Sequence, residues 1–259
     1  MRLITYNVEY CSGINRRLKY IEIQKYFKLV KKILEKISDY IKTLNPDILG
    51  LMEIDAGTVR FRKMSSTEAF SKNLELHYIA AKTKYARKSL YKVLNYTPII
   101  RKNANAILSK QPLFDTRYIS FSKGVKRLVI QTKLKVAIEG SVVELHLFAV
   151  HLSLRKKTRI IQLQELTQLL NACDGPKIVF GDFNIFKGLS ELDYLLENSN
   201  MINALDFAKE KNVNTFPSWK PKRHVDHILV SPDVKVKNYE VLDVNFSDHL
   251  PVMIDFELE

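Results

Sequence analysis

Apolar stretches of strand length, rich in β-branched residues, recur along the whole chain, and most of them end in or beside a polar residue. They are LITYNV (3–8), DILGLM (47–52), NAILS (105–109), KRLVIQTKLKV (126–136), VVELHLFAV (142–150), KIVFGD (177–182), VDHILVS (225–231), VKVKNYEVL (234–242) and LPVMIDFEL (250–258). Several alternate apolar and polar side chains, as strands with one covered face do, whereas Ile178, Val179 and Phe180 form a short unbroken apolar run that reads as buried. Helical spacing is confined to three segments. In residues 22–44, Ile23, Phe27, Val30, Leu34, Ile37, Ile41 and Leu44 recur at three- and four-residue steps until Pro46 stops the run, and 156–171 and 189–197 also read as helices. Many strands with few helices predict an α/β chain in which sheet packs on sheet and helices lie outside.

The chain has 259 residues, with no internal sequence repeat and no Pro/Gly/Ser-rich seam, so residues 1–259 are read as a single catalytic domain. No apolar run is long enough to span a membrane, MRLITYNVEY lacks the pattern of a secretory leader, and two cysteines do not make a disulfide framework. A cytoplasmic location is therefore expected. The net charge of +13 is unevenly spread: residues 1–130 carry 26 Lys and Arg against 10 Asp and Glu, and residues 131–259 carry 15 against 18. A basic half beside a near-neutral half calls for an anionic partner. Residues 82–102 concentrate the charge, with seven basic residues, no acidic one, and Tyr85, Tyr91 and Tyr96 interleaved. Basic and aromatic residues together suit the phosphates and bases of nucleic acid, and they also suit an anionic membrane surface. No protein partner is inferred.

Polar residues gather where the apolar runs stop: Asn7, Glu53, His151, Asp182 and Asn184, Asp226, and Asp248 with His249. Each alone has a plain structural explanation, as a cap, a turn or a satisfied histidine. Together they resemble a site built on the open ends of a rigid sheet. Oxygen donors such as Asn7, Glu53 and Asp248 suit Mg²⁺ or Mn²⁺ rather than structural zinc. The two histidines supply donors and proton carriers, and an aspartate beside one of them favours its charged form. In an extended chain Asp182 and Asn184 point the same way, with Phe183 and Ile185 turned toward packing. Gly181 is expected to turn the backbone as it leaves the sheet.

Seven pieces in this order resemble the endonuclease/exonuclease/phosphatase superfamily of DNase I-like metal phosphoesterases: TYNVE (5–9), LMEID (51–55), NAILSK (105–110), VHLSL (150–154), GDFN (181–184), VDHILVS (225–231) and SDHLPV (247–252). The resemblance implies a four-layered α/β sandwich, two mixed sheets face to face with helices outside, and hydrolysis of phosphoester bonds with Mg²⁺ or Mn²⁺. Carried over by position, Asn7 and Glu53 would hold the metal with Asp248 nearby, and Asp182 would orient or deprotonate the attacking water. Asn184 would fix that water or bind the phosphate, His249 held by Asp226 would contact the phosphate, and His151 would stabilise developing charge. Asn105, Arg127, Arg155 and Arg223 are the substrate-binding candidates, with RKKTR (155–159) expected beside the cleft. Abasic-site endonucleases of this superfamily carry Tyr-x-Pro-Asn where this chain has VHLSL, and the glycine often found two residues before AILS is Ala104 here. Nucleic acid is the expected substrate; a phospholipid head group, phosphoinositide or small phosphoester is the alternative.

Overall fold

The computed structural model describes residues 1–12, 23–55, 65–83, 103–124, 127–186, 188, 190–210 and 212–259. The basic, tyrosine-bearing segment from residue 84 to 102 lies outside the described residues. Strands β1 (Arg2–Asn7), β2 (Ile48–Asp55), β3 (Tyr78–Thr83), β4 (Asn103–Ser109), β11 (Val234–Val241) and β12 (Val252–Leu258) form one sheet in the order β11-β12-β1-β2-β4-β3. Strands β5 (Phe114–Ser120), β6 (Leu128–Ile138), β7 (Ser141–His151), β8 (Lys177–Asp182), β9 (Ile202–Asn203) and β10 (Asp226–Val230) form the other, in the order β5-β6-β7-β8-β10-β9. The helices are α1 (Ile23–Leu44), α2 (Ser66–Leu74), α3 (Lys156–Asn171) and α4 (Ser190–Ser199).

Both sheets are mixed, and they share one pattern. In the first, β1 and β2 are parallel, joined through α1, with β12 and β4 antiparallel on either side. In the second, β7 and β8 are parallel, joined through α3, with β6 and β10 antiparallel on either side. No repeat is legible in the sequence, so the duplication lives in topology alone.

The alternation of side chains explains the layering. Ile48 faces inward and Leu49 outward; Leu147 faces inward and Phe148 outward; Phe180 faces inward and Val179 outward. The inner faces meet in a core that includes Leu3, Ile48, Ile107 and Ile254 from one sheet and Leu147, Phe180 and Ile228 from the other. Outside the first sheet, Val30, Leu34, Ile37 and Ile41 of α1 and Phe70 of α2 cover Leu49 and Leu51. Outside the second, Leu163, Leu166 and Leu170 of α3 and Leu192 and Leu195 of α4 cover Phe148 and Val179. The result is the expected sandwich of helices, two sheets and helices.

Helix α2 is not evident from apolar spacing, but a capping box starts it: the Glu68 N–H donates to Ser65 Oγ and the Ser65 N–H donates back to the Glu68 carboxylate, both at 3.0 Å.

Two glycines make room for close approach, one between the sheets and one within the second sheet. A Cβ on Gly50 would stand 2.3 Å from the Phe180 ring of the facing sheet. Gly181 does not turn the chain out of the sheet, as expected from sequence; it lies inside β8, paired with Val150 and His227. Its φ of +136° and the Val150 carbonyl oxygen, 2.0 Å from where a Cβ would sit, both require glycine. Gly181→Ala is expected to destabilise the protein by about 2–4 kcal/mol, measured by urea unfolding, because a backbone carbonyl cannot move aside as a side chain can.

Candidate active site

Strand register lays three of the chemically capable residues side by side. On the second sheet His151 pairs with Asp182, and Asp182 pairs with Asp226, so the last residues of β7 and β8 and the first of β10 form one row. The first sheet brings Asn7 from the end of β1 against that row. Its Nδ2 donates to Asp182 Oδ2 at 3.0 Å. Glu53 arrives on a bulge in the β2–β4 pairing, where the register shifts between Leu51 and Ile54 and Glu53 itself takes a φ of +55°. Bulges re-aim side chains, and this one is held by the Glu53 N–H donating to Asn105 Oδ1 at 3.4 Å. The loop before β12 adds Asp248 and His249, fixed by Ser247 Oγ donating to the Asn7 carbonyl at 2.7 Å and Ser218 Oγ donating to the Ser247 carbonyl at 2.6 Å.

Asp182 is the hub. Besides Asn7, its Oδ2 lies 3.3 Å from His151 Nε2, and its Oδ1 accepts the Asn184 N–H at 2.9 Å. His151 reaches the other way, its Nδ1 being 3.9 Å from Glu53 Oε1. His249 Nδ1 lies 2.8 Å from Asp226 Oδ2, and the same ring's Nε2 is 3.9 Å from Asp248 Oδ1. Phe216 packs on the His249 ring at 5.0 Å between centroids. Thr215 Oγ1 accepts from the backbone N–H groups of Val225 and Asp226, fixing the start of β10.

Burial and charge set the protonation states. Burial works against charge on His249, but Asp226, Asp182 and Asp248 outweigh it and push its pKa up to about 10, so it is an imidazolium at neutral pH. Asp182 is raised by burial and by the charges of Asp226 and Glu53, which His249 and Arg127 oppose. Asp248 is raised by burial and by Glu53. Glu9, which the sequence reading passed over although TYNVE contains it, is pushed up to about 7 by burial and then by Asp248 and Glu53. It sits on a left-handed turn, Glu9, Tyr10 and Cys11 having φ of 42°, 56° and 54°.

The expected residues divide into three groups. Asn7, Glu53, His151, Asp182, Asp226, Asp248 and His249 come together as described. Asn184 comes close but is not extended: its φ is +55° and its Nδ2 donates to the Leu152 carbonyl at 3.0 Å, so the amide N–H groups that bind Asp182 and Leu152 shape the loop. Phe183 and Ile185 do turn into packing. Among the arginines, Arg127 is largely withdrawn from water, which lowers its pKa while Asp182, Glu53 and Tyr10 pull it up. Arg223 lies exposed and bonds the Lys222 carbonyl at 3.1 Å, and Arg155 stays exposed at the start of α3. Within RKKTR, Arg159 is not at the cleft surface. It is buried in a bidentate pair with Glu191, both bonds 2.9 Å, because a buried guanidinium needs a carboxylate and α4 provides one. Phe216, Thr215 and Ser218 carry no signal of their own in a single sequence, whereas Ser247 opens SDHLPV.

The sequence profile described as "Endonuclease/Exonuclease/phosphatase family" matches residues 4–249. The chain belongs to the endonuclease/exonuclease/phosphatase family. No curated protein matches the sequence. An endonuclease/exonuclease/phosphatase from Beutenbergia cavernae superposes with a TM-score of 0.74 at 15% identity, over 100% of this chain and 71% of that one. A mannosyl-6-phosphatase from Bacteroides thetaiotaomicron gives 0.72 at 17% identity over 100% of both chains. A humanized D. rerio TDP2 gives 0.69 at 15% identity, over 99% of this chain and 98% of that one. These likenesses show the DNase I-like fold, and with the family match they make the chain a phosphoesterase. Asp182, Asp226 and His249 also have ligand atoms within 4.8 Å of one another, a group able to hold a metal ion.

The raised carboxyls of this family member have a measurable consequence. Glu9 holds its proton to about 7 when folded against 4.5 for an ordinary glutamate, so the folded chain binds more protons than the unfolded one across that window. Metal-free stability is therefore expected to fall as pH rises from about 4.5 to about 7. His249 continues the decline as pH rises from 6.5 through about 10. Thermal scans in a chelator at pH 5 and pH 8 check this, and Glu9→Gln is expected to flatten the lower part of the dependence.

Proposed function

We propose that this protein is a Mg²⁺- or Mn²⁺-dependent phosphodiesterase that hydrolyses nucleic acid. The observation that carries the chemistry is the buried Asp182 facing a buried imidazolium, His249, whose charge Asp226 maintains. A base and a cationic donor held a few ångströms apart suit in-line hydrolysis of a phosphoester.

Asn7 and Glu53 would hold the cation, with Asp248 and Glu9 beside them. The donor set fits: these are hard oxygen ligands, and Glu9 Oε2 is buried without a hydrogen bond among the described residues. Bound there, a divalent cation would neutralise phosphate oxygens and the leaving oxygen. The chain's own groups do the rest. Asp182, once ionised, takes the proton of the water whose oxygen attacks phosphorus as the P–O ester bond breaks. His249 donates to a phosphate oxygen, and Asp226 keeps that donor charged. His151, between Asp182 and Glu53, adds a second donor toward the developing charge. Arg127 supplies fixed positive charge with part of its hydration already removed.

Nucleic acid is favoured by the basic half of the chain and by the aromatic-interleaved segment 82–102. A second reading follows from the full-length likeness to a mannosyl-6-phosphatase, which makes a small phosphorylated metabolite the rival substrate. An anionic membrane surface, with a phospholipid head group or phosphoinositide as substrate, is the third. All these readings share the catalytic set, so mutants do not separate them and substrates do.

A panel of supercoiled DNA, abasic duplex, single-stranded DNA, RNA, sugar phosphates, sphingomyelin and phosphoinositides is the test, run with Mg²⁺, Mn²⁺ or chelator. Cleavage of a polynucleotide, abolished by chelator and reduced about 10³-fold or more in Asp182→Ala and His249→Ala, is the expected outcome. Turnover of sugar phosphates or lipids alone would replace the nuclease reading, and equal activity in the variants would overturn the mechanism.

A further inference from the structure

Helix α3 buries polar side chains on its inner face. Arg159, Gln162 and Thr167 are all buried, Gln162 completely. A buried amide costs free energy unless both ends are paired, and those of Gln162 are. Its Oε1 accepts the N–H of Ser153, two residues after His151, at 2.8 Å. Its Nε2 donates to the carbonyl of Lys123, four residues before Arg127, also at 2.8 Å. One side chain thus ties the loop that follows His151 to the loop that carries Arg127.

The neighbourhood is built around this link. Gly124 has a φ of +96°, and a Cβ there would stand 2.6 Å from Gln162 Nε2, so the amide lies where a side chain at 124 would reach. The Phe121 N–H donates to the Arg127 carbonyl at 3.3 Å, closing the same loop. One turn either side of Gln162, Glu165 accepts the Ser122 N–H at 3.0 Å, and Arg159 Nη1 donates to the Ser153 and Leu154 carbonyls at 2.8 and 3.0 Å. Arg127 has its charge drawn toward Asp182 and Glu53, yet no carboxylate forms an ion pair with it among the described residues. A guanidinium placed in this way depends on its backbone for its aim.

We propose that Gln162 is a positioning residue that holds Arg127 in register with His151, so that the arginine meets substrate phosphate in the catalytic row. This rests on the reading of Arg127 as a phosphate-binding group. Gln162 acts through Arg127 and touches no reacting atom.

A double-mutant cycle separates this from simple stapling of a helix to its loops. Wild type, Gln162→Glu, Arg127→Ala and the double variant are assayed for kcat and KM with Mn²⁺ and bis(p-nitrophenyl) phosphate. The glutamate retains an acceptor for Ser153 and sets an oxygen against the Lys123 carbonyl, so only the Arg127 arm is broken. Gln162→Glu is expected to lower kcat/KM about tenfold in the wild-type background and less than about twofold once Arg127 is alanine. If Arg127→Ala is costly but Gln162→Glu is silent, or equally costly in both backgrounds, the inference is overturned and the phosphate-binding reading stands. If Arg127→Ala is itself silent, the reading beneath it falls. Gln162→Met, which drops both bonds, repeats the cycle if the glutamate variant loses its near-ultraviolet circular dichroism. Loss of that signal in both would assign Gln162 to stability and overturn the proposal.

Discussion

A carboxylate removed from water needs donors, and the buried carboxylate of Asp182 is the group around which this structure is arranged. Its partners come from both sheets: Asn7 from the first, His151 and the Asn184 amide from the second. Neither sheet alone satisfies it, so the site exists only where the two sheets lie face to face. Close approach of the sheets, in turn, requires glycine at position 50, where a Cβ would strike the Phe180 ring, and the β7–β8 pairing that carries Asp182 requires it at 181, where a Cβ would strike the Val150 carbonyl.

The same row concentrates charge. His249 stays cationic because three aspartates surround it, and those aspartates, with Glu9 and Glu53, repel one another in a region short of water. Backbone strain is stored beside them. Glu9, Tyr10, Cys11, Glu53 and Asn184 all have positive φ, at about 1–2 kcal/mol each for a non-glycine residue. Asn105 Oδ1 holds the Glu53 N–H, the Asn184 N–H is held by Asp182, and Ser247 Oγ ties the Asn7 carbonyl just before the turn at Glu9. Such an arrangement gives up stability for a preorganised acidic pocket, and a divalent cation is the ligand that its chemistry suits best.

The layers were legible because alternation is a strong signal: α1 and α3 span Ile23–Leu44 and Lys156–Asn171, against expected spans of 22–44 and 156–171. Helix α2 and strands β3 and β5 were not, since short elements with polar faces carry little periodicity. The residues that the fold gathers into the candidate site were legible through the order of their motifs rather than through any one residue. Position in a motif, however, does not give conformation. Asn184 follows Asp182 by two residues, yet a left-handed backbone turns its carboxamide onto Leu152. Arg159 sits in a run of basic residues, yet its helix face points inward, to Glu191. Gln162 and Phe216 matter through contacts with chain far away in sequence, and nothing local marks them.

Locating the cation tests the central claim most directly. Anomalous diffraction from crystals soaked in Mn²⁺ should place the ion against Asn7 and Glu53, on the side of Asp248 and Glu9. An ion held instead among Asp182, Asp226 and His249, or no ordered ion at all, would contradict the division of labour between a cation-holding group and a water-activating one.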